Sequence, residues 1–313
     1  MYPLRLTPIY NQTIWANNKL SKLRGLADEG FGTSWEISAH PHAQCVIANG
    51  CYAGRTLQEV LDENKEAILG KVPENRFLRL AYLDAKDNLS IQVHPYDDYA
   101  HEHEHDEGKT ETWYILEAEE GATLVAGTTI NDRDALYQAV QDNTVENYVR
   151  RIPVKAGDFV CIDAGMLHAL GKGILALEIG ENSDTTYRFY DYDRRDAKGN
   201  ARELHIKKSF DVADFSLVCE PVHSPLHEVS ENEEKQLVDR EEFSVKLVDI
   251  HEEYHLPMDH TRFYTLSNVK EDAILICNGE ELDFPYMESI LIPAACEDVT
   301  IKGSTRVLIS YVD

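Results

Sequence analysis

Two residues at the end of a predicted strand have side chains that can bind a metal ion. In the segment Ser90-Ile-Gln-Val-His-Pro95, Gln92 and His94 are two positions apart, so a strand directs both side chains to the same face. An amide oxygen and an imidazole side by side can be two metal ligands or a hydrogen-bonded polar pair. Taken alone, this segment favours the hydrogen-bonded pair.

A second polar pair opens the next predicted strand. In Gly108-Lys-Thr-Glu-Thr-Trp-Tyr-Ile115, Lys109 and Glu111 share one strand face. A carboxylate that enters a hydrophobic strand needs a cation nearby, and either a metal ion or Lys109 can supply it. In isolation the pattern is equally consistent with a surface Lys–Glu pair.

A third segment runs from Gly157 to His168, where a strand leads into a tight glycine turn and the next strand begins with a histidine. Together the three segments follow the two-part signature of the cupin family. The positions that carry it are Gln92, His94, Glu111, Gly157, Asp163 in the usual proline position, Gly165 and His168. Two features depart from simple cupins: Gln92 replaces a histidine, and 16 residues separate His94 from Glu111.

This narrower pattern resembles the type I mannose-6-phosphate isomerases in their short bacterial form. The resemblance runs from about Tyr2 to Phe215, and more weakly through the tail. The stretches that carry it are Trp15, Ser34–Ser38, Gln92–Pro95, Gly108–Tyr114, Leu167–Gly173 and Glu178–Asp193. Gly180 and Glu181 depart from the family, which usually has a glutamine pair there.

The resemblance implies one zinc ion per subunit, bound by Gln92, His94, Glu111 and His168. It also implies that the enzyme interconverts mannose 6-phosphate and fructose 6-phosphate through an enediol-type intermediate. Zinc suits this chemistry because it polarises oxygen atoms without redox side reactions.

The resemblance further implies that Arg188 is a catalytic arginine. Lys109 and Arg188 would add positive charge for the phosphate or the enediolate. Glu178, on the strand after His168, is the expected base for proton transfer.

The composition limits the partners. Thirty Lys and Arg against 56 Asp and Glu give a formal charge of −26, which repels phosphate backbones and anionic membrane surfaces. We therefore expect a small-molecule sugar phosphate as substrate, with no nucleic-acid or membrane partner. One carboxylate and three neutral ligands around zinc leave a local charge near +1, which attracts an anionic substrate.

The cysteines and the N-terminus favour a cytoplasmic protein. None of the six cysteines forms a CxxC pair, a pattern typical of thiols in a reducing compartment. The N-terminus has no apolar stretch of signal-peptide length, and no apolar run approaches the ~18 residues of a membrane span.

Short apolar segments separated by Gly, Asn and Asp predict an all-β fold with minor helical insertions. We expect a cupin or jelly-roll catalytic barrel over residues 1–235 and a smaller β-sandwich over 236–313, linked by the polar stretch 223–241. The capping box Thr56-Leu-Gln-Glu59 predicts one helix, closed by Gly70, and helical spacing over 134–149 predicts one or two more helices. The segment that begins at Met287 echoes the one that begins at Ala156 but has no histidine, so the C-terminal sandwich is predicted to hold no metal.

Three alternatives compete with this interpretation. His101-Glu-His-Glu-His105 places histidines at alternate positions, but its acidic surroundings favour a solvated loop with adventitious metal affinity. The same four ligands can hold iron or manganese in a cupin dioxygenase or in another sugar-phosphate isomerase. A cupin that binds a sugar without turnover is the third alternative, and Lys109 and Arg188 beside the ligands argue against it.

Overall fold

The computed structural model describes residues 1–27, 29–195 and 198–313, in which β-strands are the main element. The strands are β1 (Leu4–Thr7), β2 (Ile9–Gln12), β3 (Phe31–Ile37), β4 (Ala39–His40), β5 (Ala43–Gln44), β6 (Val46–Ile47), β7 (Leu78–Ala85), β8 (Ile91–Val93), β9 (Glu111–Ala118), β10 (Thr123–Thr128), β11 (Val149–Pro153), β12 (Asp158–Ile162), β13 (His168–Ala169), β14 (Ile174–Glu181), β15 (Tyr187–Tyr190), β16 (Val222–His223), β17 (Glu233–Asp239), β18 (Ser244–Ile250), β19 (Glu253–His255), β20 (Tyr264–Asn268), β21 (Ala273–Cys277), β22 (Glu280–Phe284), β23 (Ser289–Ile292), β24 (Thr300–Lys302) and β25 (Thr305–Tyr311). The helices are α1 (Lys19–Leu23), α2 (Leu57–Glu63), α3 (Lys65–Leu69), α4 (Asp97–His103), α5 (Arg133–Gln141) and α6 (Ile206–Val212).

The chain divides into two compact units, and neither is one continuous segment. The first comprises residues 1–9, 35–81 and 226–313, and the second comprises residues 10–34 and 82–225. The C-terminal sandwich therefore includes two stretches from the N-terminal third of the chain. The division at 235/236 stays a prediction, because compact units and domains need not coincide.

The second unit contains a five-stranded sheet and most of a seven-stranded sheet. Their strand orders are β11-β10-β13-β8-β15 and β16-β12-β9-β14-β7-β3-β2. Apolar side chains from both sheets form one buried core, including Leu124 and Ala126 from β10 with Ile115 from β9 and Ala176 from β14. Alternation along each strand directs these residues inward, which gives the sandwich that positions the predicted ligands.

The first unit contains a seven-stranded sheet of order β17-β18-β25-β20-β23-β1-β6 and a four-stranded sheet of order β19-β24-β21-β22. The polar stretch 223–241 was expected to be a linker, and this expectation is wrong for part of its length, because β17 lies within it. β17 is the edge strand of its sheet and is mostly exposed, so its polar sequence suits a solvated edge.

Both predicted helical regions are confirmed. Thr56 and Glu59 form the expected reciprocal capping box at the start of α2, and the helical segment ends at Gly70 after α3. Helix α5 and a short 3-10 turn over 145–147 account for the region 134–149. The predicted fold class, all-β with minor helices and of cupin type, is confirmed.

Within residues 1–27, 29–195 and 198–313, none of the helices combines the length and the apolarity that a bilayer crossing needs.

Candidate metal centre

The four predicted ligands lie on strands of both sheets of the second unit. Gln92 is in β8 and His94 follows it directly, while His168 is the first residue of β13. Because β8 pairs with β13, Gln92 lies directly opposite His168. Glu111 opens β9 in the other sheet and pairs with Ile162 and Gly180. The fold therefore brings together residues that are up to 76 positions apart.

His94, Glu111 and His168 form a fully buried cluster. All three have 0% exposure. The Nε2 atom of His94 lies 3.5 Å from one carboxylate oxygen of Glu111, and the Nε2 atom of His168 lies 3.4 Å from the other. The two imidazole rings are 4.7 Å apart between centroids. The nitrogen and carboxylate atoms all lie within 4.8 Å of one another.

Backbone carbonyl groups orient both imidazoles. The Nδ1 atom of His94 is 2.9 Å from the carbonyl oxygen of Thr185, and the Nδ1 atom of His168 is 2.9 Å from that of Met166. A carbonyl only accepts, so Nδ1 carries the proton and donates. In the neutral ring Nε2 then presents a lone pair, as a metal ligand must.

The surroundings keep both rings neutral. Burial lowers the pKa of His168 to about 3, and the neighbouring His94 adds to this effect. Burial, together with the positive charge of Lys109, also lowers the pKa of His94. Both rings are therefore already neutral at neutral pH, and each can bind a cation without first releasing a proton.

Lys109 and two carboxylates form a buried charge cluster beside the histidines. The Lys109 ammonium lies 2.5 Å from Glu111 Oε2 and 3.0 Å from Glu178 Oε1. Burial raises the pKa of the Glu111 carboxyl, but the positive charge of Lys109 outweighs this effect and holds the pKa well below its usual range. Glu111 is therefore ionised, as a metal ligand requires.

Gln92 is the fourth predicted ligand, and it is partly buried beside His168. Its amide group lies 3.4 Å from His168 Nε2. A half-turn of the amide group exchanges its oxygen and nitrogen, so the amide oxygen can face the cluster instead of the NH₂ group. The structure thus places Gln92 next to the cluster of His94, Glu111 and His168.

The cluster fits a small divalent cation. His94 Nε2 and Glu111 Oε1 are buried without a hydrogen bond, and Glu111 Oε2 has the ion pair with Lys109. A buried polar atom without a hydrogen bond is costly unless another partner satisfies it. Tetrahedral zinc bonds of about 2.1 Å place neighbouring ligand atoms about 3.4 Å apart. The two His–Glu separations, 3.5 and 3.4 Å, match this spacing.

Arg188 lies beside the ligands on β15. Its backbone pairs directly with Gln92 of β8. One guanidinium nitrogen donates to the Glu203 carbonyl at 2.7 Å, while the buried Nε has no hydrogen-bond partner. Burial and the nearby Arg202 lower the pKa of Arg188, although the guanidinium stays charged at any physiological pH.

Two further residues near the ligands could not be assigned a role from the sequence. Trp113 is fully buried, and its ring meets the His168 ring edge-on at 5.6 Å between centroids. A Cβ atom at Gly180 would lie 2.9 Å from the Thr110 carbonyl oxygen and 3.0 Å from the Glu111 Cβ. The absence of a side chain at position 180 therefore lets β14 approach the Glu111 backbone closely.

The segment from His101 to His105 differs from the expected solvated loop. Residues up to His103 belong to α4, and the three histidines are exposed. A helix does not place residues two positions apart on one face, so His101 and His103 do not point towards a common metal ion. His101 instead lies 2.7 Å from Glu107.

The fold and the buried His/Glu/His cluster define a cupin-type β protein with a candidate metal centre. The family model for the catalytic domain of type I phosphomannose isomerase matches residues 4–136. The model for the cupin domain of mannose-6-phosphate isomerase matches residues 233–312.

Similarity to individual proteins extends over the whole chain. The putative mannose-6-phosphate isomerase YvyI of Bacillus subtilis (strain 168) is 37% identical to this chain, and the alignment covers 99% of each protein. The mannose-6-phosphate isomerase ManA of the same organism is 34% identical with the same coverage. A crystal structure of the Bacillus subtilis mannose 6-phosphate isomerase superposes over 100% of both chains with a TM-score of 0.89 and 36% identity. The chain belongs to the type I mannose-6-phosphate isomerase family, which confirms the predicted class of enzyme.

Proposed function

We propose that the protein is a zinc-dependent aldose–ketose isomerase that interconverts mannose 6-phosphate and fructose 6-phosphate. The observation that carries the proposal is the buried set of His94, Glu111 and His168, whose ligand atoms have the spacing of a tetrahedral zinc site. Membership of an isomerase family supports the substrate pair.

His94, Glu111, His168 and Gln92 would hold one zinc ion per subunit. Two imidazoles, one carboxylate and one amide suit zinc, a borderline-soft cation that accepts nitrogen and oxygen ligands. A structure of mannose 6-phosphate isomerase described as zinc-bound has the same fold, with a TM-score of 0.76 and 17% identity. That identity is informative about the fold only, so the choice of zinc rests on the ligand set.

Bound at this centre, zinc would supply a Lewis acid without redox chemistry that polarises substrate oxygens. The isomerisation moves a proton from C2 of the aldose to C1, while a second proton passes from the C2 hydroxyl to the C1 oxygen. Glu178 is the proposed base for the carbon-bound proton, and the Lys109 ammonium at 3.0 Å holds its carboxylate in place. The guanidinium of Arg188 offers positive charge to the phosphate or to the developing enediolate.

The local charge suits an anionic substrate in spite of the chain's net charge of −26. Lys109 and Glu178 cancel, and zinc with the single Glu111 carboxylate leaves a charge near +1. Arg188 adds a further positive charge. Sugar phosphates are therefore the proposed partners, and nucleic acids and anionic membranes are not. A cytoplasmic location accords with this substrate class and with cysteines that have no CxxC pairing.

The test is an isomerase assay on chelator-treated protein with zinc, iron or manganese added back singly. We expect activity to vanish on chelation and to return with zinc. His168→Ala should lose bound zinc and activity together, whereas the control His103→Ala, on the exposed helix α4, should retain both. Activity that survives complete metal removal contradicts the proposal. Oxygen consumption with iron alone would instead indicate a cupin dioxygenase, and tight sugar-phosphate binding without turnover would indicate a non-catalytic binding protein.

A further inference from the structure

The carboxylate of Asp106 organises a turn beside the metal centre. Asp106 lies in the segment between α4 and β9 and is partly buried. Its Oδ2 atom lies 3.1 Å from Ser183 Oγ, and it accepts hydrogen bonds from the Asp184 backbone N–H at 3.0 Å and the Thr185 hydroxyl at 2.8 Å. Its other oxygen accepts from the Glu107 N–H at 2.9 Å. One carboxylate thus contacts three consecutive residues of the turn 183–185.

This turn carries the acceptor that orients a predicted ligand. The carbonyl oxygen of Thr185 is the hydrogen-bond partner of His94 Nδ1, at 2.9 Å. The position of that carbonyl depends on the turn, which Asp106 holds from one side. A second contact fixes the same turn, since the Ser183 hydroxyl also lies 2.8 Å from the Glu107 carbonyl oxygen.

We propose that Asp106 is a positioning residue for the metal ligand His94, acting through the turn 183–185. The inference rests on the proposed metal centre and adds to it a residue that does not touch the ion. Only an ionised carboxylate presents acceptors on both oxygens. Asparagine at this position would turn its NH₂ group either towards the donors of the turn or towards the Glu107 N–H, so at least one hydrogen bond would be lost.

The energetic consequence should be a weaker metal site. Groups that orient a metal-bound histidine typically account for about 10- to 100-fold in metal affinity. Asp106 is one hydrogen bond further from the metal than such a group, so we expect Asp106→Asn to lower the zinc affinity by about tenfold, the lower end of that range. Removing the negative charge also weakens cation binding, and this contribution must be separated from the loss of the hydrogen bonds.

The experiment measures zinc affinity by competition with a chromophoric chelator and hydrogen exchange of residues 183–185 in the metal-free protein. Glu102→Gln removes one negative charge from an exposed position of α4 and is the charge control. Thr185→Val removes one hydrogen bond to Asp106 without a charge change, and Thr185→Ser retains the hydroxyl. We expect Asp106→Asn and Thr185→Val to weaken zinc binding and to speed hydrogen exchange in residues 183–185. Glu102→Gln and Thr185→Ser should have nearly the zinc affinity and the exchange rates of the unmodified protein.

The outcomes separate this inference from the proposed metal centre. If the unmodified protein binds no zinc, the metal centre is refuted, and hydrogen exchange in Asp106→Asn still decides whether Asp106 holds the turn. If zinc binds but Asp106→Asn changes its affinity less than about twofold, or no more than Glu102→Gln does, the positioning role is refuted. Near-ultraviolet circular dichroism checks folding, and Thr185→Val carries the test if Asp106→Asn does not fold.

Discussion

Removing the buried ammonium of Lys109 should destabilise the metal-free protein and yet strengthen zinc binding. Lys109 lies 2.5 Å from Glu111 and 3.0 Å from Glu178, and all three side chains are buried. Lys109→Met leaves both carboxylates without their cation, and breaking a buried ion pair in this way costs about 3–5 kcal/mol. When zinc is bound, the metal compensates Glu111, and only the loss at Glu178 remains.

We expect Lys109→Met to lower the free energy of unfolding by about 2 kcal/mol more in the metal-free protein than in the zinc-bound protein. This difference corresponds to roughly 30-fold tighter zinc binding by the variant. Its turnover should nevertheless fall, because Glu178 loses the group that holds it in place. A metal affinity that rises while kcat falls is not the signature of a general folding defect.

The assay is urea unfolding, followed by tryptophan fluorescence with chelator and with excess zinc, together with a direct zinc titration. Lys19→Met is the matched control, because Lys19 forms an ion pair of similar length with Glu117, 2.9 Å, whose side chains are 30% and 44% exposed. That exposed pair should contribute only about 0–1 kcal/mol in either state. The reasoning is refuted if Lys109→Met lowers the free energy of unfolding of the metal-free protein no more than Lys19→Met does, or if Lys109→Met weakens zinc binding.

Three further substitutions test individual roles. Arg188→Ala should retain zinc and lower kcat by about 10²–10³-fold, and a near-normal rate in steady-state kinetics would show that Arg188 is not catalytic. Glu178→Gln should retain zinc and lower kcat by about 10²–10⁴-fold, whereas unchanged kinetics would move the proton-transfer role elsewhere. Gly180→Ala should destabilise the protein by about 1–3 kcal/mol, because the added Cβ would meet the Thr110 carbonyl oxygen at 2.9 Å. If the variant unfolds thermally at the same temperature as the unmodified protein, β14 does not approach the Thr110 backbone so closely.

The strands were the most predictable part of the fold. Strands such as β12, β21 and β23 are short apolar runs bounded by turn residues, and such runs carry a local signal. The proximity of Gln92, His94, Glu111 and His168 was expected from the family resemblance, because residue spacing alone left each segment with an ordinary structural explanation.

The parts that were missed depend on long-range contacts. Helix α4 buries only Ala100 and has no apolar stripe, so its sequence does not predict a helix. Contacts distant in sequence hold its ends: Asp97 accepts from the Gly108 N–H at 2.8 Å, and Glu104 accepts from the Tyr187 hydroxyl at 2.7 Å. The assembly of residues 1–9 and 35–81 with the C-terminal strands is likewise not visible in any local pattern.

The use of backbone carbonyls to orient His94 and His168 affects how the site tolerates evolutionary change. Every amino acid at positions 166 and 185 retains the carbonyl oxygen that the imidazoles contact, so point substitutions there leave the acceptors in the chain. An inserted or deleted residue would instead shift the acceptor along the backbone. The acceptor at position 166 therefore survives a change of residue type, and so does the one at position 185 provided that a hydroxyl remains there to bond Asp106. A change in the length of either loop would instead misdirect a ligand.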